Sequence, residues 1–349
     1  MTYYCKHAYR RAAFASVALA WAISSAAGVS HFVPGMMNVR DFLVPEKEGV
    51  YAALYLGNYS TGKLKDKSGN TIDKATFHAS RSLGPGIPAV VDITADIDAN
   101  VDMYLIAPTF VWNTGYKFLG ADYAMLISLP FANTSVGAAL DTLTDINLAN
   151  QAVSIGKKLS VNDSAFDISD IYVQPLWLGW HGKHYDISTG YGFYAPSGKY
   201  NKDDVANTGL GFWGHQFQLA GAYYPFDHKG TALMLAGTYE INHETEGKDF
   251  TQGGHFTLNW GLSQFLPITD NVLLEVGPAG YSQWQVQDNH GADQSSFLNS
   301  PNQVHAVGGQ IGLAFPKANA QFTFHYFSEF AAESRFQGDY AGFTAAVGF

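Results

Sequence analysis

The sequence predicts an all-β fold: a transmembrane antiparallel β-barrel of about twelve strands, with a short N-terminal segment folded into its lumen. Three observations lead there. Successive runs alternate apolar and polar residues with period two; the chain is rich in aromatics but poor in charge, with no long apolar run after its start; and its last run, YAGFTAAVGF, stops on an aromatic residue. Charged residues make up 14% of the 349, against about 25% in ordinary globular domains, while aromatics reach 15%. A chain this apolar without helical spans must hide its apolar side chains at alternate positions, facing lipid on one side of a wall and a polar lumen on the other.

The first thirty residues, MTYYCKHAYRRAAFASVALAWAISSAAGVS, run from Lys6, Arg10 and Arg11 through an apolar stretch to small residues. That order is a secretory signal peptide, residues 1–27, with cleavage expected after Ala27. A membrane anchor is the alternative, but the apolar run from Ala12 to Ile23 is shorter than the roughly 20 residues of a spanning helix. Cys5, the one cysteine, lies in this leader, so the rest of the chain has no thiol to pair. Removing the leader takes three basic residues and no acidic one from a chain of net charge −10, which argues against nucleic acid and anionic lipid surfaces as partners. The expected location is the outer membrane of a Gram-negative bacterium.

Residues 28–49 follow, with Phe32, Met36, Met37, Phe42 and Leu43 among two prolines. They are read as a plug that narrows the lumen, the alternative being a periplasmic tail. The barrel, residues 50–349, has strands expected near 50–61, 90–112, 119–131, 168–180, 184–194, 211–224, 231–242, 254–266, 271–287, 303–314, 320–330 and 340–349. Fourteen result if segments near 71–79 and 151–160 join them. Along 212–224, Trp213, Phe217, Leu219 and Tyr223 share one face, expected to meet lipid, and Gln216 and Gln218 share the other, expected to meet water.

The stretch DITADIDANVD, 92–102, opens like an EF-hand calcium loop, but counting from Asp96 the sixth position is Val101 where Gly is needed and the twelfth is Ala107 where Glu is needed. Its odd positions are all apolar, which makes it a strand. Asp92, Asp96, Asp98 and Asp102 are then expected to form an acidic stripe in the lumen or at its mouth, and that stripe would favour cations; a solvated strand end beyond the membrane is the alternative. The same face continues as Tyr104, Ile106, Phe110 and Trp112. With Phe32 and Phe42, these are the expected pathway contacts for a hydrophobic or aromatic solute.

No nucleophile elbow or helical His-x-x-x-His pair accompanies the twelve histidines. His181 and His184 flank a turn and are the candidate pair for a metal, but solvated turn histidines are the simpler expectation. For a barrel hydrolase the best set is His255, Asn259 and Ser263 on one strand face, which ordinary lumen polarity also explains. No catalytic residue, metal or cofactor is therefore assigned.

Several segments together resemble the outer-membrane transporter family associated with meta-pathway phenol degradation: HFVPG at 31–35, GVYAALYLGNYS at 49–60, YKFLGADYAMLISLP at 116–130, and above all SDIYVQPLWLGWHGKHYDISTGYGFYAPSGKYN at 169–201. Ser169 stands where the family pattern has Gly, and residues 132–165 match no part of it. The resemblance implies a barrel that passes small hydrophobic or aromatic compounds down their gradient, with no cofactor. Its partners would be the bilayer, the outer-membrane assembly machinery, which reads the C-terminal strand, and the solute. The alternatives are a general or cation-preferring porin and a membrane-embedded barrel hydrolase.

Overall fold

A computed structural model describes residues 30–82, 88–148, 151–294 and 300–349; the expected signal peptide lies outside them. Fifteen strands carry almost all of the regular structure. The first eight are β1 (Gly49–Leu64), β2 (Lys74–Ser82), β3 (Pro88–Phe118), β4 (Ala121–Ser128), β5 (Phe131–Leu148), β6 (Gln151–Ile168), β7 (Ile171–His181) and β8 (Tyr185–Ala195). The remaining seven are β9 (Gly214–Tyr223), β10 (Thr231–Asn242), β11 (His255–Thr269), β12 (Val272–Gln285), β13 (Gln303–Phe315), β14 (Ala320–Glu333) and β15 (Phe336–Gly348).

Twelve of these close into an antiparallel barrel. From β4 the ring runs through β7 to β15 in chain order, then β15 pairs β1, β1 pairs β3, and β3 pairs β4. Closure matters because hydrocarbon offers no partner for an unpaired backbone edge. The strand count and the expected positions are borne out. The two uncertain segments are strands too, β2 and β6, but they lie outside the ring with β5.

These three strands extend the wall beyond the barrel. β3 is 31 residues long; its residues 101–113 pair with β1 inside the barrel, while 88–96 pair with β2 and 89–106 with β5, which in turn pairs β6. The result is a four-stranded sheet, β2-β3-β5-β6, projecting from one rim. Turns at the opposite rim, 119–120, 182–184, 224–230, 270–271 and 316–319, are short, and on the projecting side the connections 196–213, 243–254 and 286–302 are longer, with the two-residue link 334–335 between β14 and β15 as the exception. Short turns mark the periplasmic end, so the sheet projects outward from the cell. The inner face of the projection is apolar: Ala99, Val101, Val136, Ala138 and Ala165 pack with Ala206 and Phe336 to roof the mouth.

Burial assigns each face. Trp213, Phe217, Leu219 and Tyr223 are exposed on the outside of β9, while Gln216 and Gln218 are buried inside, as the alternation predicts. On β3 the expected faces are reversed. Tyr104, Ile106, Phe110 and Trp112 are 58%, 43%, 46% and 49% exposed, whereas Leu105, Ala107 and Thr109 between them are buried. Register gives the same answer, because Ala107 lies opposite Tyr55, whose side chain is buried in the lumen. The four large residues therefore contact lipid, not solute.

Asp92, Asp96, Asp98 and Asp102 share that outer face, so the acidic stripe does not line the lumen. The first three stand on the projecting sheet in water, where Asp92 meets His78 at 2.5 Å and Asp96 lies 3.9 Å from Lys74. Asp102 accepts a hydrogen bond from Ser60 at 2.5 Å. One outer face thus changes solvent partway along β3, acidic above the membrane and aromatic within it.

Phe110→Arg should weaken the folded barrel by about 2–4 kcal/mol, the cost of a cation facing hydrocarbon near the membrane centre. Urea unfolding in lipid vesicles measures this. A Phe110 directed into the lumen would leave the midpoint unchanged.

Candidate functional site

The N-terminal segment lies inside the lumen. Residues 30–48 enter from the periplasmic rim, where β1 begins, and reach the extracellular mouth. Extended chain broken by one 3-10 turn, Val39–Phe42, exposes many backbone groups, and wall side chains satisfy them. Gln310 accepts from the Val39 amide at 3.3 Å, and the Phe42 carbonyl accepts from Ser188 at 2.5 Å and Gln218 at 3.1 Å.

Three charged anchors hold the segment. At the mouth His31 stacks on Tyr194 at 4.6 Å and meets Phe212 edge-on at 4.7 Å. Its Nδ1 lies 3.0 Å from Glu240 and its Nε2 3.3 Å from Asp170. Glu240 also accepts the His31 and Phe32 amides at 3.0 and 3.1 Å. Burial alone would discharge this imidazole, but the carboxylates of Asp170 and Glu240 outweigh it and raise His31 to about 9. Asp170 further accepts from the amides of Gly198 and Leu210 at 3.0 and 2.7 Å, so it ties the 196–213 loop to the same point.

Close to the periplasmic rim, the Arg40 guanidinium donates to Ser263 at 2.8 Å and to the carbonyls of Lys229 and Gly230 at 3.2 and 3.3 Å. It lies 3.5 Å from the fully buried Glu275 and rests over the Phe265 ring at 4.6 Å. At the periplasmic exit the Lys229 ammonium bridges Glu46 and Asp186.

Against β9 and β10, Phe32 and Phe42 pack with Ala220 and Ala236. Val39 packs with Met234, Ala279 and Tyr281 of the wall. Beside the segment is a cavity of about 330 Å³, lined by β1, β3, β4, β5 and β7 and also by side chains of β8, β9, β12, β14, β15 and the 196–213 and 243–254 loops. Its lining is largely apolar and aromatic, including Met36, Tyr55, Met103, Leu105, Leu126 and Trp177. Of the expected pathway residues Phe32 lines this cavity, and Phe42 instead anchors the segment. Sequence reading missed Met103 and Leu105 because they sit on the face of β3 taken for lipid, and it assigned no face to Leu126 on β4.

The cavity's sharpest local feature is on β7. Register shifts on both sides of the strand, between Val173 and Leu176 against β8 and between Ala124 and Leu126 on β4, mark a β-bulge at Pro175. Simple alternation would put Gln174 and Trp177 on opposite faces. The extra residue brings both inside, where both line the cavity. Gly190 and Gly192 of β8 make this fit, since a Cβ at either would collide with the Gln174 amide or the Tyr172 hydroxyl.

The remaining candidates separate. His255 and Ser263 are both buried in the lumen but lie eight positions apart on β11, about 26 Å along an extended strand. Ser263 bonds Arg40 and Glu275, and His255 approaches Asn302 at 3.2 Å, so no nucleophile–base pair forms. His181 and His184 do not converge either: His184 bonds the Tyr224 carbonyl at 3.0 Å. His181 instead clusters with Glu46 and Asp186, their ligand atoms within 4.8 Å. Lys229 already supplies the cation there.

A closed twelve-stranded barrel with a lipid-facing apolar band, short periplasmic turns and an occupied lumen is an outer-membrane β-barrel. The sequence matches the family described as "Putative MetA-pathway of phenol degradation" over residues 61–345, and the chain belongs to that family. Among solved structures it is similar to the COG4313 outer membrane channel from Pseudomonas putida F1, with a TM-score of 0.59 and 11% identity over 90% of this chain and 100% of that one. That similarity establishes the shared fold. A Pseudomonas aeruginosa FadL homologue matches at TM-score 0.30 and 8% identity over 89% of this chain and 91% of that one, a likeness too slight to carry an argument. No curated protein sequence matches the chain.

Because His31 is raised above its ordinary value, its contribution to holding the segment is complete below about pH 6.5 and is lost as pH rises through about 9. Single-channel conductance should therefore be low and steady up to neutrality and rise between pH 7 and 9.5. His31→Ala should show the raised level already at pH 7. A flat profile shared by both proteins would remove His31 as a latch.

Proposed function

We propose that this protein is a selective outer-membrane channel through which small hydrophobic or aromatic molecules pass down their gradient, with residues 30–48 as the plug and constriction. One observation carries the reading: an apolar cavity of about 330 Å³, at the lower end of the range for small-molecule sites, lies between the plug and the wall. An open aqueous pore would offer such molecules no contact that favours them over ions. Here Phe32 of the plug and Met103, Leu105 and Leu126 of the wall supply that contact. The family's association with phenol degradation supports an aromatic solute.

The occupied lumen counts against a general porin, and the outward position of the acidic stripe removes the reason to expect cation preference. No energy source or cofactor enters the mechanism. The outer face of β15 ends in the exposed Phe349, and we read that strand as the signal for the outer-membrane assembly machinery.

The test is conductance of the refolded protein in a planar bilayer, with and without residues 30–47. Low conductance that increases at least tenfold on deletion, and that candidate aromatic solutes then reduce, is the expected result. High conductance in the intact protein, unchanged by deletion or solute, would make it a general porin.

A further inference from the structure

Hydrogen-bond direction can be followed along one inner wall of the cavity. The Tyr194 hydroxyl donates to Gln216 Oε1 at 2.9 Å, Gln216 Nε2 donates to the Tyr172 hydroxyl at 3.1 Å, and Tyr172 donates to Gln174 Oε1 at 2.9 Å. In this direction each hydroxyl gives its single proton forward, and the Gln174 oxygen accepts the last of them. The Nε2–H₂ end terminates the series and has no partner among the described residues. Gln174 is 2% exposed.

Trp177, brought to the same face by the Pro175 bulge, ends alike. It is 3% exposed, and its indole Nε1 has no partner among the described residues. An indole nitrogen is only a donor, and so is the amide end of an oriented glutamine. Two buried donors without acceptors are costly in a packed wall. Both residues line the cavity.

We propose that Gln174 and Trp177 form a recognition point for a hydrogen-bond-accepting oxygen on an otherwise apolar solute, so that the channel favours phenols, aryl ketones and esters over hydrocarbons of the same shape. The inference rests on the proposed uptake function and narrows its substrate class. The apolar lining supplies contact that any hydrophobe can use, while the two donors discriminate, because a solute with an acceptor oxygen gives them the partner they lack and a hydrocarbon leaves them unpaired.

The test compares acetophenone with α-methylstyrene, which replaces the carbonyl oxygen by a methylene of similar shape. Initial uptake by cells expressing the full chain is measured above that of cells carrying no channel. The expected wild-type preference for the ketone is about tenfold, falling to twofold or less in the Gln174→Met, Trp177→Phe double variant. Heat-modifiable gel mobility checks that the variant barrel has folded.

An independent reading uses purified wild-type protein and acetophenone labelled at its carbonyl carbon with ¹³C. Hydrogen bonding should shift the bound carbonyl stretch to lower frequency, and each single variant should reduce that shift. Equal wild-type uptake of the two compounds, or an unshifted carbonyl band, overturns the recognition point and leaves the uptake function standing. Uptake of neither compound above background overturns both.

Discussion

Everything in this molecule depends on closing the hydrogen-bond ladder. β1 pairs with β15 on one side and β3 on the other, so the chain's last strand seals its first and no edge faces hydrocarbon. That closure brings β1 and β15 together at the periplasmic rim and leaves the segment before β1 at the entrance of an enclosed lumen. A ring of twelve strands is too wide for its own inward side chains to fill. The N-terminal segment takes up the remaining volume.

Filling the lumen with extended chain sets a second requirement. Such chain brings unpaired backbone groups and needs polar partners, which the wall supplies through Ser188, Gln218, Glu240 and Gln310. Buried carboxylates need cations, and His31 and Arg40 of the segment lie against Glu240 and Glu275. The wall and segment are therefore matched in charge, and removing one partner leaves the other buried and uncompensated. The cavity sits where the segment does not reach the wall, and the Pro175 bulge gives that stretch of β7 a different chemistry from its neighbours.

How far the sequence could be read is clearest from comparing strands. On β9 it assigned faces correctly, because there the outside is lipid and the inside carries paired polar groups, so period two maps directly onto two environments. On β3 the same rule misassigned both faces. The inner side of β3 meets the roof and the cavity, which are apolar, while its outer side passes from lipid into water. Asp92 to Asp102 and Tyr104 to Trp112 consequently share one outward face, although the polarity rule would have sent them to the lumen.

By itself the sequence determined the strand-forming periodicity, the number of wall strands, the absence of cysteine beyond residue 5 and the amphipathic wall, since each depends on local composition and spacing. Only the tertiary structure decided that β2, β5 and β6 stand outside the ring, that His31 lies between Asp170 and Glu240, and that a bulge turns Gln174 and Trp177 to one side. These outcomes depend on register between strands far apart in the chain. A shift of one residue exchanges every inward and outward side chain without altering the local pattern.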